Sequence, residues 1–198
     1  MPTDRITDAT VEPVTIAEAK AYRRELMEDA GNDAIIALLI TSARLDAEHR
    51  LQRTLISTVW RLTLDAFPTA STGYKDGLIR LPMGKTIAVQ SVKYVDESGA
   101  LQTLAADQYL VDLAGDVARI APAYGTTWPA VRSQPGAVQV NYTAGYGATA
   151  ASVPAPIKSW IGLAVGDLYE RRERSAERPA VPQQFADGLL DPYRIWGL

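Results

Sequence analysis

The chain has 198 residues, with 47% hydrophobic and 22% charged side chains, which is the profile of an ordinary globular protein with room for a sizeable core. It has no cysteine and a single histidine, His49, so disulfides, thiolate metal sites, cysteine nucleophiles and multi-histidine centres are excluded. A net charge of -3 gives no global bias toward nucleic acid.

Residues 1–13 carry Asp4, Arg5, Asp8 and Glu12 with no long apolar run, so they read as an N-terminal arm rather than a secretory signal, and no window is apolar enough for a membrane span. A cytoplasmic site of synthesis is expected. Residues 14–53 read as a helical pair. Thr15-Ile16-Ala17-Glu18 has the spacing of a capping box, in which the hydroxyl and the carboxylate satisfy orphan amides of a helix start. In the second helix, Ile36, Ile40, Ala43, Ala47 and Leu51 recur every three or four residues and define one apolar face; Arg44, Glu48, Arg50 and Arg53 are assigned to the other.

Residues 54–150 read as an antiparallel β-domain. Trp60, Leu62, Leu64 and Ala66 alternate with Arg61, Thr63 and Asp65, and Val138, Val140, Tyr142 and Ala144 alternate with Gln139, Asn141 and Thr143. Shorter strand-like runs lie at 78–81, 89–95, 101–104, 109–113 and 117–120. The separators between neighbouring runs, such as Asp96 to Gly99, are too short for parallel crossovers, so pairing is antiparallel. Pro154 and Pro156 stop the sheet, and residues 151–174 form a helix whose stripe of Ile157, Trp160, Ile161, Ala164 and Leu168 packs on the helical pair. The fold expected is therefore α+β: helices from both chain ends packed together, with an antiparallel β-sandwich or barrel-like domain inserted between them and an extended C-terminal tail.

That tail, residues 175–198, is punctuated by Pro179, Pro182 and Pro192 and loaded with Phe185, Leu189, Leu190, Tyr193, Ile195 and Trp196. Left free, it would expose apolar surface that a soluble monomer hides, so it reads as a docking segment.

Catalytic constellations are weak. Met83-Gly84-Lys85-Thr86 matches the end of a phosphate loop, but Ile79 stands where that loop needs its first glycine. Gly145-Tyr146-Gly147 follows a strand without the parallel βαβ context of a dinucleotide site and reads as a glycine-rich strand exit. His49 near Asp46 offers a base for a small hydrolase, with no serine in a nucleophile elbow to accompany it. The arginines at 171, 172, 174 and 178 suggest a DNA-binding module, yet Glu170, Glu173 and Glu177 interrupt them. No enzyme, cofactor or metal site is expected.

In order along residues 13–174 stand Pro13-Val14-Thr15-Ile16-Ala17-Glu18-Ala19-Lys20, Asp33-Ala34-Ile35-Ile36 with Ala43-Arg44, Ile79-Arg80-Leu81-Pro82, and Ser91-Val92-Lys93-Tyr94-Val95-Asp96. Trp128-Pro129, Tyr142-Thr143-Ala144-Gly145-Tyr146-Gly147, Val153-Pro154 and Tyr169-Glu170-Arg171-Arg172-Glu173 complete the series. Taken in this order the chain resembles the head-tail connector (adaptor) proteins of long-tailed phages and gene transfer agents. The resemblance implies a structural virion protein of the neck, assembled in the bacterial cytoplasm, with no catalytic role. It implies a homo-oligomeric ring, usually of twelve copies, beneath the portal protein. That ring extends the DNA channel, with possible non-specific contact to packaged double-stranded DNA, and presents a surface to the stopper on the tail side. It further implies that the C-terminal segment meets the portal through Phe185, Leu189, Leu190, Pro192, Tyr193, Ile195 and Trp196, with Arg171, Arg172 and Arg174 as candidates for the channel or ring surface.

Overall fold

The computed structural model describes residues 2–22, 30–69, 77–170 and 184–196. The chain is α+β with antiparallel sheets, and it divides into two compact units, one built from residues 1–9 and 57–146, the other from 10–56 and 147–197.

The first unit holds the strands. β2 (Thr58–Leu64) and β8 (Val138–Ala144) lie side by side from Thr58 opposite Ala144 to Leu64 opposite Val138, and both bury every second residue. That is the alternation their sequences carry; Ala66 falls beyond the strand and is exposed. β1 (Thr3–Arg5), β4 (Thr86–Val95) and β5 (Leu101–Thr103) complete a five-stranded sheet in the order β1-β2-β8-β4-β5. Part of the expected N-terminal arm is thus an edge strand. The backbone groups of Thr3 to Arg5 gain partners on β2, and the Arg5 guanidinium sits 4.9 Å above the Trp60 ring.

A second sheet, ordered β3-β7-β6, joins β3 (Ile79–Leu81), β6 (Tyr109–Asp112) and β7 (Ala118–Pro122). The two sheets share one core, in which Leu62, Val92, Val140 and Tyr142 of the larger meet Ile79, Leu81 and Ile120 of the smaller. Cutting Leu62 to alanine there would cost about 2–5 kcal/mol. Burial pushes the Tyr142 hydroxyl pKa up, and that hydroxyl donates to the Pro82 carbonyl at 3.0 Å. The β4–β5 hairpin is closed by Asp96, whose carboxylate accepts from Ser98, Gln102 and the Ala100 amide; these bonds hold its pKa down at about 2.

The second unit holds the helices. α1 (Ile16–Ala21) starts with the capping box the sequence spells: Thr15 Oγ1 accepts from the Glu18 amide at 3.1 Å and Glu18 Oε2 accepts from the Thr15 amide at 2.7 Å. α2 (Asp33–Leu51) buries Ile36, Ile40, Ala43, Ala47 and Leu51, the predicted face. Three residues assigned to its polar face, Arg44, Glu48 and Arg53, are buried as well. They flank the apolar stripe, and paired charges and backbone groups make their burial tolerable. Arg44 reaches Glu12 at 2.7 Å and Glu48 at 3.3 Å, while Glu48 Oε1 accepts the Leu55 amide at 2.9 Å.

α3 (Ala155–Glu170) meets α1 and α2 through Tyr22 Oη with Ser159, Lys158 with Glu18, and Asn32 with the Tyr169 hydroxyl. Its buried arc runs through Ile157, Trp160, Ile161, Val165, Gly162 and Gly166, whereas Leu168, expected to be inside, is exposed. Glycine moves the arc. The Tyr22 ring lies so close to Gly162 that a Cβ there would overlap it. α4 (Gln184–Gly188) and a single 3-10 turn at Asp191–Tyr193 follow.

Candidate functional site

The described end of the chain is tied to the C-terminus of α2. A helix leaves its last carbonyls without intrahelical partners, and α2 ends where Gln52 turns into the left-handed region at φ 53°. One exposed backbone group is taken by the tail: the Ile195 amide donates to the Leu51 carbonyl at 3.1 Å. Arg53 donates from Nε to the Tyr193 carbonyl, and so a buried cation is satisfied by backbone two residues upstream of Ile195.

Further back, Asp187 Oδ1 accepts from Arg50 Nη1 at 3.2 Å and from the Trp160 indole at 3.4 Å, with Arg50 lying 5.3 Å over that indole ring. Ala186 and Leu190 close this patch, Leu190 being only 4% exposed. The tail is therefore not uniformly available to a neighbour. Leu190, expected among the docking residues, is buried within this chain.

Leu189, Tyr193 and Ile195 are half-buried and Pro192 is exposed. Trp196 is 71% exposed, and the Arg194 guanidinium stands 4.5 Å above its ring, which holds the indole without covering it. The Phe185 side chain and Arg171, Arg172 and Arg174 lie outside the described residues.

The other sequence candidates separate. Met83 and Gly84, with φ of 67° and 84°, form a turn from β3 into β4, with no helix to present amides to a phosphate. His49 is exposed, and the Asp46 carboxylate is taken by Arg50 at 3.1 Å. Among the described residues no cluster of three or more His, Asp or Glu side chains is arranged to hold a metal ion, and no helix is long and apolar enough to cross a membrane. Arg53 and Asp187 tie the tail to the helices, a role that sequence reasoning passed over. Their partners stand 140 and 27 positions away in the chain.

No family model matches the chain, and no curated protein does. Solved structures do. The chain is similar to one from the neck of an empty gene transfer agent particle computed with C6 symmetry, with a TM-score of 0.80 at 23% identity, covering 100% of this chain and 97% of that one. A chain from the virion of a native gene transfer agent particle gives 0.80 at 24% identity with the same coverage. A chain from the neck of a native particle computed with C12 symmetry gives 0.75 at 23%. At these identities the likeness establishes a shared fold along the entire chain.

Proposed function

We propose that this chain is a structural, non-enzymatic component of the neck of a phage-like particle, a head-tail connector that forms a ring beneath the portal protein. The observation that carries the reading is the full-length likeness in fold to chains of gene transfer agent necks. Cyclic symmetry in those particles supports a ring of this chain, with twelve copies favoured by the C12 neck. In this role the protein extends the DNA channel, with non-specific DNA contact at most, and offers its far side to a stopper protein. It belongs in the virion neck.

Docking to the portal falls to the end of the C-terminal segment. Trp196 leads, with Pro192, Tyr193, Ile195 and Leu189 beside it. An exposed indole steadied by Arg194 has little freedom left to lose on binding, which is what an interface anchor needs. The bonds of Arg53 and Leu51 to the tail set where that anchor stands. Removing residues 186–198 would also take away Leu190 and the Asp187 contacts, so the cleaner probe is Trp196→Ala.

The test is to mix the full-length protein with portal rings and image the mixture by electron microscopy. A ring of added density beneath the portal is expected. Portal rings that stay bare at saturating protein would overturn the reading.

A further inference from the structure

α2 has a second apolar face. Ile35, Leu38 and Leu45 are 40%, 65% and 45% exposed. At about 100° per residue, Leu38 and Leu45 point directly away from the buried Ile36, Ile40 and Ala43 stripe. Their spacing continues through Ser42 and His49 as alternating steps of three and four, the spacing of a helix seam. No charge interrupts this face between Ala34 and Leu45. Its one hydroxyl, on Ser42, donates back onto the Leu38 carbonyl at 2.9 Å. The charges at its lower end are satisfied within the helix, Asp46 pairing with Arg50.

Beside this face lies a cleft of about 570 Å³, lined by Val11, Val14, Ile16, Ala37, Ile40 and Thr149 among others. Ala37, Ile40 and Thr41 set this cleft about a quarter-turn round α2 from Leu38, with the Thr41 hydroxyl bonded to Glu12 at its edge. An exposed apolar face on a water-soluble helix marks a contact, and a core free of charge is what protein interfaces show.

We infer that the outward face of α2, with Leu38 at its centre, is covered by a second copy of this chain, as one of the two unlike surfaces that join successive subunits. This rests on the neck reading above. The occupant is argued from the symmetry of the particles that contain the same fold: in a cyclic arrangement each copy must present two different surfaces, one to each neighbour. The face on α2 carries the exposed Leu38 and Leu45 and the absence of charge that one of those surfaces requires. The surface it meets on the next copy is a different one, because cyclic contacts are heterologous.

The experiment uses the full chain. Self-association of the wild type and of the double variant Leu38→Glu and Leu45→Glu is followed by sedimentation velocity over a wide concentration range, free and on portal rings. In parallel, a benzophenone amino acid at position 38 is irradiated and the adducts are mapped. The wild type should associate, free or on the portal, and the double variant should do so roughly tenfold more weakly or worse, with an unchanged circular dichroism spectrum. Leu38→Ser, which removes the apolar side chain and adds no charge, should fall between them. Adducts should join position 38 to another copy of the chain. Equal association of wild type and variants, adducts confined to the portal, or a wild type that associates under neither condition would overturn the inference. Failure here is separable from failure of the neck reading. If the α2 variants assemble normally while Trp196→Ala loses the portal, only the α2 inference falls; if association depends on Leu38 but the portal is never bound, only the neck reading falls.

Discussion

Arg53 at the end of α2 donates to the Tyr193 carbonyl, 140 positions later, and so fastens the C-terminal segment to the helical unit from a nearly buried position. Truncation to alanine would leave that carbonyl without its charged donor and open the space the arginine fills. Arg53→Ala is expected to lower stability by about 1–3 kcal/mol. Amide exchange at residues 190–196 should rise more than in α2, as measured by hydrogen-exchange mass spectrometry.

The Arg44 guanidinium lies between Glu12 and Glu48, and both it and Glu48 are buried. Removing the cation leaves the buried Glu48 carboxylate without its ion pair, beside a part-exposed Glu12. Arg44→Ala should therefore cost about 3–5 kcal/mol in chemical denaturation.

Glycine at 162 admits the Tyr22 ring. In Gly162→Ala the ring must swing off α3 and give up the hydrogen bond from Tyr22 Oη to Ser159. Because Tyr22 is 42% exposed and alanine gains about 1 kcal/mol over glycine inside a helix, a net loss of no more than about 1 kcal/mol is expected. In a Tyr22→Ala background the same substitution should cost much less, and a double-mutant cycle on thermal or urea unfolding measures the difference.

Glu18 gives the helical unit a pH dependence. Its carboxylate accepts the Thr15 amide and pairs with Lys158, and these bonds hold its pKa below the usual 4.5. A folded-state pKa below the unfolded one stabilises the protein fully above the unfolded value and is lost as the pH falls through the folded value. Stability should thus decline from about pH 4.5 downward, and Glu18→Gln should flatten that part of the curve. Unfolding free energy measured against pH for the two proteins gives the comparison. Thr15→Ala, which removes the other half of the cap, should cost about 1 kcal/mol at neutral pH.

Local patterns in the sequence carry much of this architecture. Strict alternation in Trp60 to Leu64 and Val138 to Ala144 marks the two central strands because each has one face in the core. The Thr15 and Glu18 spacing marks a helix start, and the Ile36 to Leu51 period marks the buried side of α2. What stayed illegible depends on partners distant in sequence. Arg44 reads as a surface charge because its partner Glu12 comes 32 residues before it, and Glu48 because the Leu55 amide it accepts lies past the end of the helix. Residues 3–5 carry no strand pattern of their own and become one only because β2 offers an open edge. In the tail, the apolar content was visible, but composition cannot separate Leu190, folded inward, from Trp196, left outside. That division comes from the turn at Asp191–Tyr193 and from the bonds to Arg53 and Leu51.

The affinity of the full-length protein for portal rings, compared between wild type and Trp196→Ala, tests the proposed role most directly. Loss of the indole should weaken binding by about 2 kcal/mol or more, roughly thirtyfold, while melting temperature and spectra stay unchanged. A folded Trp196→Ala protein that binds portal as tightly as the wild type would contradict the assignment.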